Sequence, residues 1–262
     1  MKKRIALLIL FLCTIIVVTG CSLTKSKESK AKEKNVTITY EEMQTMEKIS
    51  KVIFQQEKES FKVNDMTEEQ KSEIARSLAP NGYLDTSGSE MIKIFQKYFG
   101  EDQTVSFEDI KCFMKHDSEE EQTLYFFDKE KDKYVYNEKH PGHGGGGMVG
   151  VGSTIEYDSV EVKGNTYLYK TKVLFYGKVN CYDIGPCAYG KAYKSYNDAK
   201  NETNPLTEID NNSKYVKQSI DGFPETHLEL VMQDYKENLD TYTFVFEKTD
   251  NDIIFKEYKK EG

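Results

Sequence analysis

The chain has 262 residues and a mass of 30.3 kDa, enough for one large domain or two small ones. Its formal charge of −8 argues against a nucleic-acid binder, which draws its affinity from neutralising phosphates with Lys and Arg. Aromatics at 12% exclude a wholly disordered chain, and a single long apolar stretch excludes a multi-pass membrane protein.

That stretch lies at the N-terminus. Lys2, Lys3 and Arg4 form a basic start, and Ile5 to Val18 is a run of 14 residues with Thr14 its one clearly polar member. The run matches the apolar core of a secretory signal and is shorter than the ~20 residues of a spanning helix. The tetrad Val18-Thr-Gly-Cys21 follows directly. It resembles the lipobox of bacterial lipoproteins. The resemblance implies cleavage before Cys21, a diacylglyceryl group on its thiol, and a place at the outer face of the bacterial cytoplasmic membrane. Two acyl chains hold a protein on a bilayer stably, where one holds it reversibly. Removing residues 1–20 takes away three basic residues and no acidic ones, leaving 33 against 44, a formal −11.

Residues 21–38 read as a lipidated tether. Ser22 to Lys34 carries Lys25, Lys27, Lys30, Lys32 and Lys34 against Glu28 and Glu33, with little apolar content and no period. It reads as a solvated spacer whose positive charge could lie along anionic headgroups.

From Thr39 a helix-start device recurs. Thr39-Tyr-Glu-Glu42, Thr67-Glu-Glu-Gln70, Ser87-Gly-Ser-Glu90 and Ser106-Phe-Glu-Asp109 fit or nearly fit the capping box, in which a hydroxyl and an acidic or amide side chain satisfy each other's backbone N–H. Apolar residues follow at helical spacing: Met43, Met46, Ile49 and Ile53; Ile74 and Leu78; Met91, Ile92, Phe95, Tyr98 and Phe99; Phe107, Ile110, Phe113 and Met114. Four helices are therefore expected over about residues 39–117.

Beyond Asp117 the period becomes two. Leu124-Tyr-Phe-Phe127 and Tyr134-Val-Tyr136 flank a polar turn, Asp128 to Asp132. Val149 to Tyr157 alternates, Gly164-Asn165 is a hairpin signal, and Tyr167, Tyr169, Val173 and Phe175 share one face of the return strand. Leu228, Leu230 and Met232 alternate, as do Tyr242, Phe244 and Phe246, and Asp250-Asn251-Asp252 turns the chain into Ile253-Ile-Phe255. Cys181 to Lys214, poor in apolar residues, reads as an excursion from the sheet. Helices first and antiparallel strands (about 118–262) second make an α+β body over 39–262. This order resembles the NTF2-like or cystatin-like class, which implies helices on one face of a curved antiparallel sheet.

Candidate chemistry is sparse. Cys181 and Cys187 enclose a Gly-Pro turn that can bring them to bridging distance, so a local disulfide is expected in an oxidising compartment. Cys112, on the fourth apolar stripe, reads as a buried free thiol. His140 and His143 precede four glycines, but neither they nor the cysteines have zinc-site spacing, so the stretch reads as a flexible connection. Asp128 to Asp132 lacks the glycine and terminal glutamate of a calcium loop. No metal or cofactor is expected, and no Gly-x-Ser-x-Gly or His-Glu-x-x-His is present. His227, Glu229, Gln233 and Tyr235 share one face of the expected strand. With Tyr157 and Tyr169, His227 and Glu229 are the candidate lining of a pocket on the sheet; a solvated outer face explains them as well.

The expected role is a non-enzymatic interaction or ligand-binding module of the cell envelope, with an envelope protein or glycan as partner and no nucleic acid. The alternative is an envelope enzyme whose pocket is built from those dispersed residues. Abundant Lys, Asn and Tyr with no Trp suggests a Gram-positive host.

Overall fold

The computed structural model describes residues 38–55, 59–113, 121–139, 150–178, 190–209, 213–215, 224–250 and 252–261. The chain divides into Met1–Asn35, outside those residues, and Val36–Gly262. The second unit is α+β. Its helices are α1 (Tyr40–Phe54), α2 (Glu68–Leu78), α3 (Gly88–Phe99), α4 (Tyr196–Asn201) and α5 (Pro224–Tyr235). Its strands are β1 (Ser60–Lys62), β2 (Ile110–Phe113), β3 (Glu121–Asp128), β4 (Lys133–Tyr136), β5 (Gly150–Lys163), β6 (Thr166–Lys178), β7 (Lys191–Tyr193), β8 (Thr207–Glu208), β9 (Thr241–Lys248) and β10 (Ile253–Lys260).

Seven strands form an antiparallel sheet in the order β1-β10-β9-β6-β7-β8, with β5 on the other side of β6. The first half of β6 pairs with β9, and Phe175 and Tyr176 pair with β7. A second sheet runs β2-β3-β4. The β5–β6 hairpin turns on Gly164, whose φ of 61 is what a type II′ turn demands at its first central position.

One face of the large sheet is aromatic. Tyr167, Tyr169 and Phe175 of β6, Tyr242, Phe244 and Phe246 of β9, and Phe255 and Tyr258 of β10 are all buried beneath the N-terminal helices. A bulge between Phe255 and Glu257 shifts the alternation by one residue, so Tyr258 points inward with Phe255. Phe54, in the last turn of α1, lies within ring contact of Phe175 (6.0 Å), Tyr242 (5.0 Å), Phe244 (6.4 Å) and Tyr258 (5.6 Å). The opposite face carries a smaller core, in which Leu174 of β6 meets Leu228, Val231 and Met232 of α5.

The first two capping boxes form as expected, with Thr39 and Glu42 closing α1 and Thr67 and Gln70 closing α2. Helix α3 is capped by Ser87 and by a second group from the β3–β4 turn. The Asp132 carbonyl accepts the Gly88 N–H (2.8 Å), and its carboxylate accepts the Ser89 N–H (2.9 Å). A Cβ on Gly88 would sit 2.5 Å from Asp132 Oδ1 and 2.6 Å from the Phe127 ring, so this approach needs glycine.

Three expectations need correction. The fourth expected helix is absent: Ser106 to Asp109 is irregular and Ile110–Phe113 is β2. Asp109 accepts the Phe127 N–H (3.0 Å) instead of closing a cap, and Phe107 packs on Phe127 (4.9 Å), so pairing with β3 overrides the helical spacing. Conversely, the strand expected at Leu228 to Met232 is helix α5. Finally, the excursion after Cys181 returns to the sheet as β7 and β8, joined by α4, with Ala192, Tyr193 and Ile209 buried.

Phe54→Ala should lower the free energy of unfolding by about 3–5 kcal/mol, because a ring surrounded on four sides cannot be replaced by local collapse. Chemical denaturation of the two proteins measures the difference.

Candidate functional site

The sequence-predicted residues are distributed between two faces of the sheet. Tyr169 is buried on the helical face, where its ring meets Tyr157 (5.4 Å) and Phe246 (6.4 Å). Burial, then Glu47 and Tyr157, push its phenol well above the ordinary value. Tyr157 on β5 is 41% exposed. His227 and Glu229 lie on α5, so they do not share a strand face: His227 is 5% exposed, while Glu229 points outward. Tyr157 and Tyr169 thus touch each other, and of the four Glu229 alone lines the cleft described next. Cys21, Cys181, Cys187, His140 and His143 lie outside the described residues; Cys112 is on β2.

The cleft straddles the outer edge of β5. Its floor is Thr154, Ile155 and Glu156; Lys51 of α1 stands on one side, and Glu229, Met232 and Gln233 of α5 on the other. Its volume is about 360 Å³. Glu156 pairs with Lys236 (2.5 Å), and Lys51 with Glu47 (2.5 Å). Sequence reasoning named Glu229 and Gln233 but missed Lys51, Thr154, Ile155, Glu156 and Met232. The signal was present: Leu228, Val231, Met232 and Tyr235 have the i, i+3, i+4, i+7 spacing of a helix, and Pro224 is a favoured first helical residue. On a helix, Glu229 and Gln233 are one turn apart and share a face.

A second cleft, of about 280 Å³, opens at the start of α1, between Thr39, Glu42, Lys97, Lys248 and Asp252. Four of its charges are already paired. The Glu42 carboxylate closes the α1 capping box by accepting the Thr39 N–H (2.7 Å) and also holds Lys248 (2.7 Å); Lys97 faces Asp252 (3.6 Å). Burial disfavours the charged form of Glu42, but Lys248 and Thr39 together outweigh it and hold the carboxyl below its ordinary value. Lys248 is raised in turn, chiefly by Glu42.

Along α2, Glu68, Glu69, Glu73, Glu108 and Asp109 surround Arg76 in a third opening of about 320 Å³. Arg76 is committed there. It donates to Ser72 (3.2 Å) and to the Tyr134 hydroxyl (3.1 Å), and Tyr134 in turn donates to the Glu108 carbonyl (3.2 Å). Among the described residues no cluster of three metal-ligating side chains occurs, and no helix is long and apolar enough to cross a membrane.

Comparison with protein-family models, curated proteins and solved structures gives no match. The clefts are therefore judged on their own chemistry. In the second, Glu42, Lys248, Lys97 and Asp252 are engaged with one another, and in the third Arg76 is held by Ser72 and Tyr134. The cleft over β5 differs, because its floor is an edge of the seven-stranded sheet and its walls come from helices on both faces of that sheet.

Glu42→Gln keeps the capping acceptor and removes the charge, so it should cost about 1–2 kcal/mol at pH 7. A depressed folded-state pKa stabilises above the unfolded value and loses that contribution as pH falls through the folded value. The two proteins should therefore converge in stability below pH 4.5, the ordinary value of the carboxyl. Urea midpoints measured across the acid range test this.

Proposed function

We propose that the chain is a bacterial lipoprotein whose α+β body acts as an interaction module at the outer face of the cytoplasmic membrane. The observation that carries the first half is the tetrad Val18-Thr-Gly-Cys21, placed directly behind a basic start and a short apolar run. Cleavage before Cys21 and acylation of its thiol would leave two or more lipid chains on the mature N-terminus, enough for stable anchoring. Ser22 to Lys34 would then be the leash, with its lysines attracted to anionic headgroups.

The second half is supported by the kind of surface the body offers. Its buried apolar side chains form two internal cores, while among the described residues Tyr40, Leu84, Phe126, Tyr136 and Tyr157 stand singly exposed. Its clefts are open, polar and lined by side chains from several elements. Such surfaces suit recognition of another macromolecule, and the partner class proposed is an envelope protein. On this reading a disulfide between Cys181 and Cys187 would form in an oxidising compartment.

Cys21→Ser should abolish incorporation of an alkyne-labelled fatty acid and shift the chain from the membrane to the soluble or unprocessed fraction. A wild-type chain that takes up no label, or a variant that takes up as much, would overturn the anchor.

A further inference from the structure

We infer that the outer edge of β5 is a docking groove for an extended, basic segment of a partner polypeptide, which pairs with the sheet as an additional strand. The inference names the partner class of the interaction module proposed above. It rests on that part of the reading and is independent of the lipid anchor.

The backbone supplies the first argument. Among the described residues β5 pairs only with β6. In an antiparallel ladder, alternate residues exchange both hydrogen bonds with the partner strand, and the residues between them point theirs away. Ile155 stands opposite Val173, and the Val173 N–H is given to Asp240 on the other side of β6 (3.4 Å). Ile155 is therefore in an outward-pointing pair. Tyr157, two residues on, agrees: its carbonyl accepts Lys236 Nζ (3.2 Å) from beyond the ladder. The outward row is thus Val151, Ser153, Ile155 and Tyr157. Lys236 occupies its last carbonyl, and a bulge between Tyr157 and Ser159 ends the regular edge there. Bulges and lysines are the means by which edges are closed to pairing. Here they close one end and, among the described residues, leave the stretch through Ile155 unpaired at the floor of the cleft.

The walls supply the second argument. Lys51 stands on the helical side of the sheet and Glu229, Met232 and Gln233 on the other, so the edge lies in a trough between α1 and α5. A second copy of the chain would bring its own α1 and α5 against these walls. A single extended strand, running about 4.8 Å from its neighbour, passes between them. A volume of about 360 Å³ suits a few residues of such a strand.

Charge supplies the third. Glu156 is neutralised by Lys236 and Lys51 by Glu47, whereas Glu229 forms no ion pair among the described residues. Ile155, which packs toward the helical-side core, offers apolar contact on the opposite side of the edge from Glu229. Alternate residues of a strand face opposite sides, so the fitting segment alternates basic and apolar side chains.

The test is fluorescence anisotropy of a labelled peptide of about ten residues alternating Lys and Val, titrated with the full-length chain in detergent micelles. Saturable binding is expected, weakened about tenfold or more by Glu229→Lys, an exposed change that touches no core. Ile155→Pro removes an outward N–H while sparing the β6 ladder, and should weaken binding similarly. Hydrogen exchange at the Ser153 and Ile155 amides should slow in the complex, and a Glu–Val peptide should not bind. No binding at about millimolar peptide, binding indifferent to Glu229→Lys, or slowed exchange elsewhere would overturn the groove. A dimer dissolved by Ile155→Pro would overturn it in favour of a second copy. Fatty-acid labelling of Cys21 is read separately: labelled chain without peptide binding removes the groove and leaves the anchor, and the reverse result removes only the anchor.

Discussion

The body is organised around one layer of aromatic rings. Phe54 at the end of α1 is its centre, and the rows from β6, β9 and β10 are its floor. Aromatic pairs in tilted or edge-on contact contribute about 0.5–1.5 kcal/mol each beyond area burial, so a ring with four such neighbours fixes the position of its helix. The layer also demands the bulge in β10, because without the extra residue Tyr258 would face solvent. It tolerates polar misfits. Ser50 Oγ and Thr171 Oγ1 are buried without a hydrogen-bond partner among the described residues. Each costs about 1–3 kcal/mol, a sum that burial of the surrounding rings offsets.

Much of this was legible in the chain. The first two capping boxes gave true helix starts because the hydroxyl and its partner, the Glu42 carboxylate or the Gln70 amide, stand three residues apart, and Glu42 closes its box even while it holds Lys248. The alternation of Tyr167, Tyr169, Val173 and Phe175, and of Tyr242, Phe244 and Phe246, identified the inward face of both strands. Local pattern failed where it was ambiguous or was overridden. Leu228, Leu230 and Met232 satisfy period two, while Leu228, Val231, Met232 and Tyr235 satisfy the helical period; choosing the first cost the site its wall. At Ser106 to Asp109 the capping pattern is real in sequence, but the carboxylate is taken by a strand N–H from a residue distant in the chain. Long-range pairing of that kind leaves no local mark.

The candidate groove was legible only in part for the same reason. Glu229 and Gln233 stood out as polar residues near an apolar stripe. Nothing in the sequence tells which strand will be left at the rim of the sheet, since that depends on β6 pairing with β9 and β7 on its other side. Once β5 is the rim, two helices from opposite faces flank it, and an ordinary edge becomes a trough.

The double attachment of Glu42 has a mechanical meaning. Any tension arriving through residue 38 meets first the carboxylate that closes α1 and clasps Lys248 at the end of β9. That strand is hydrogen-bonded on both sides, to β10 and to β6. A pull on the leading end of the body is therefore shared with an interior strand at the first turn of helix, and peeling α1 from its seat requires that clasp to part before the rings beneath it are loaded.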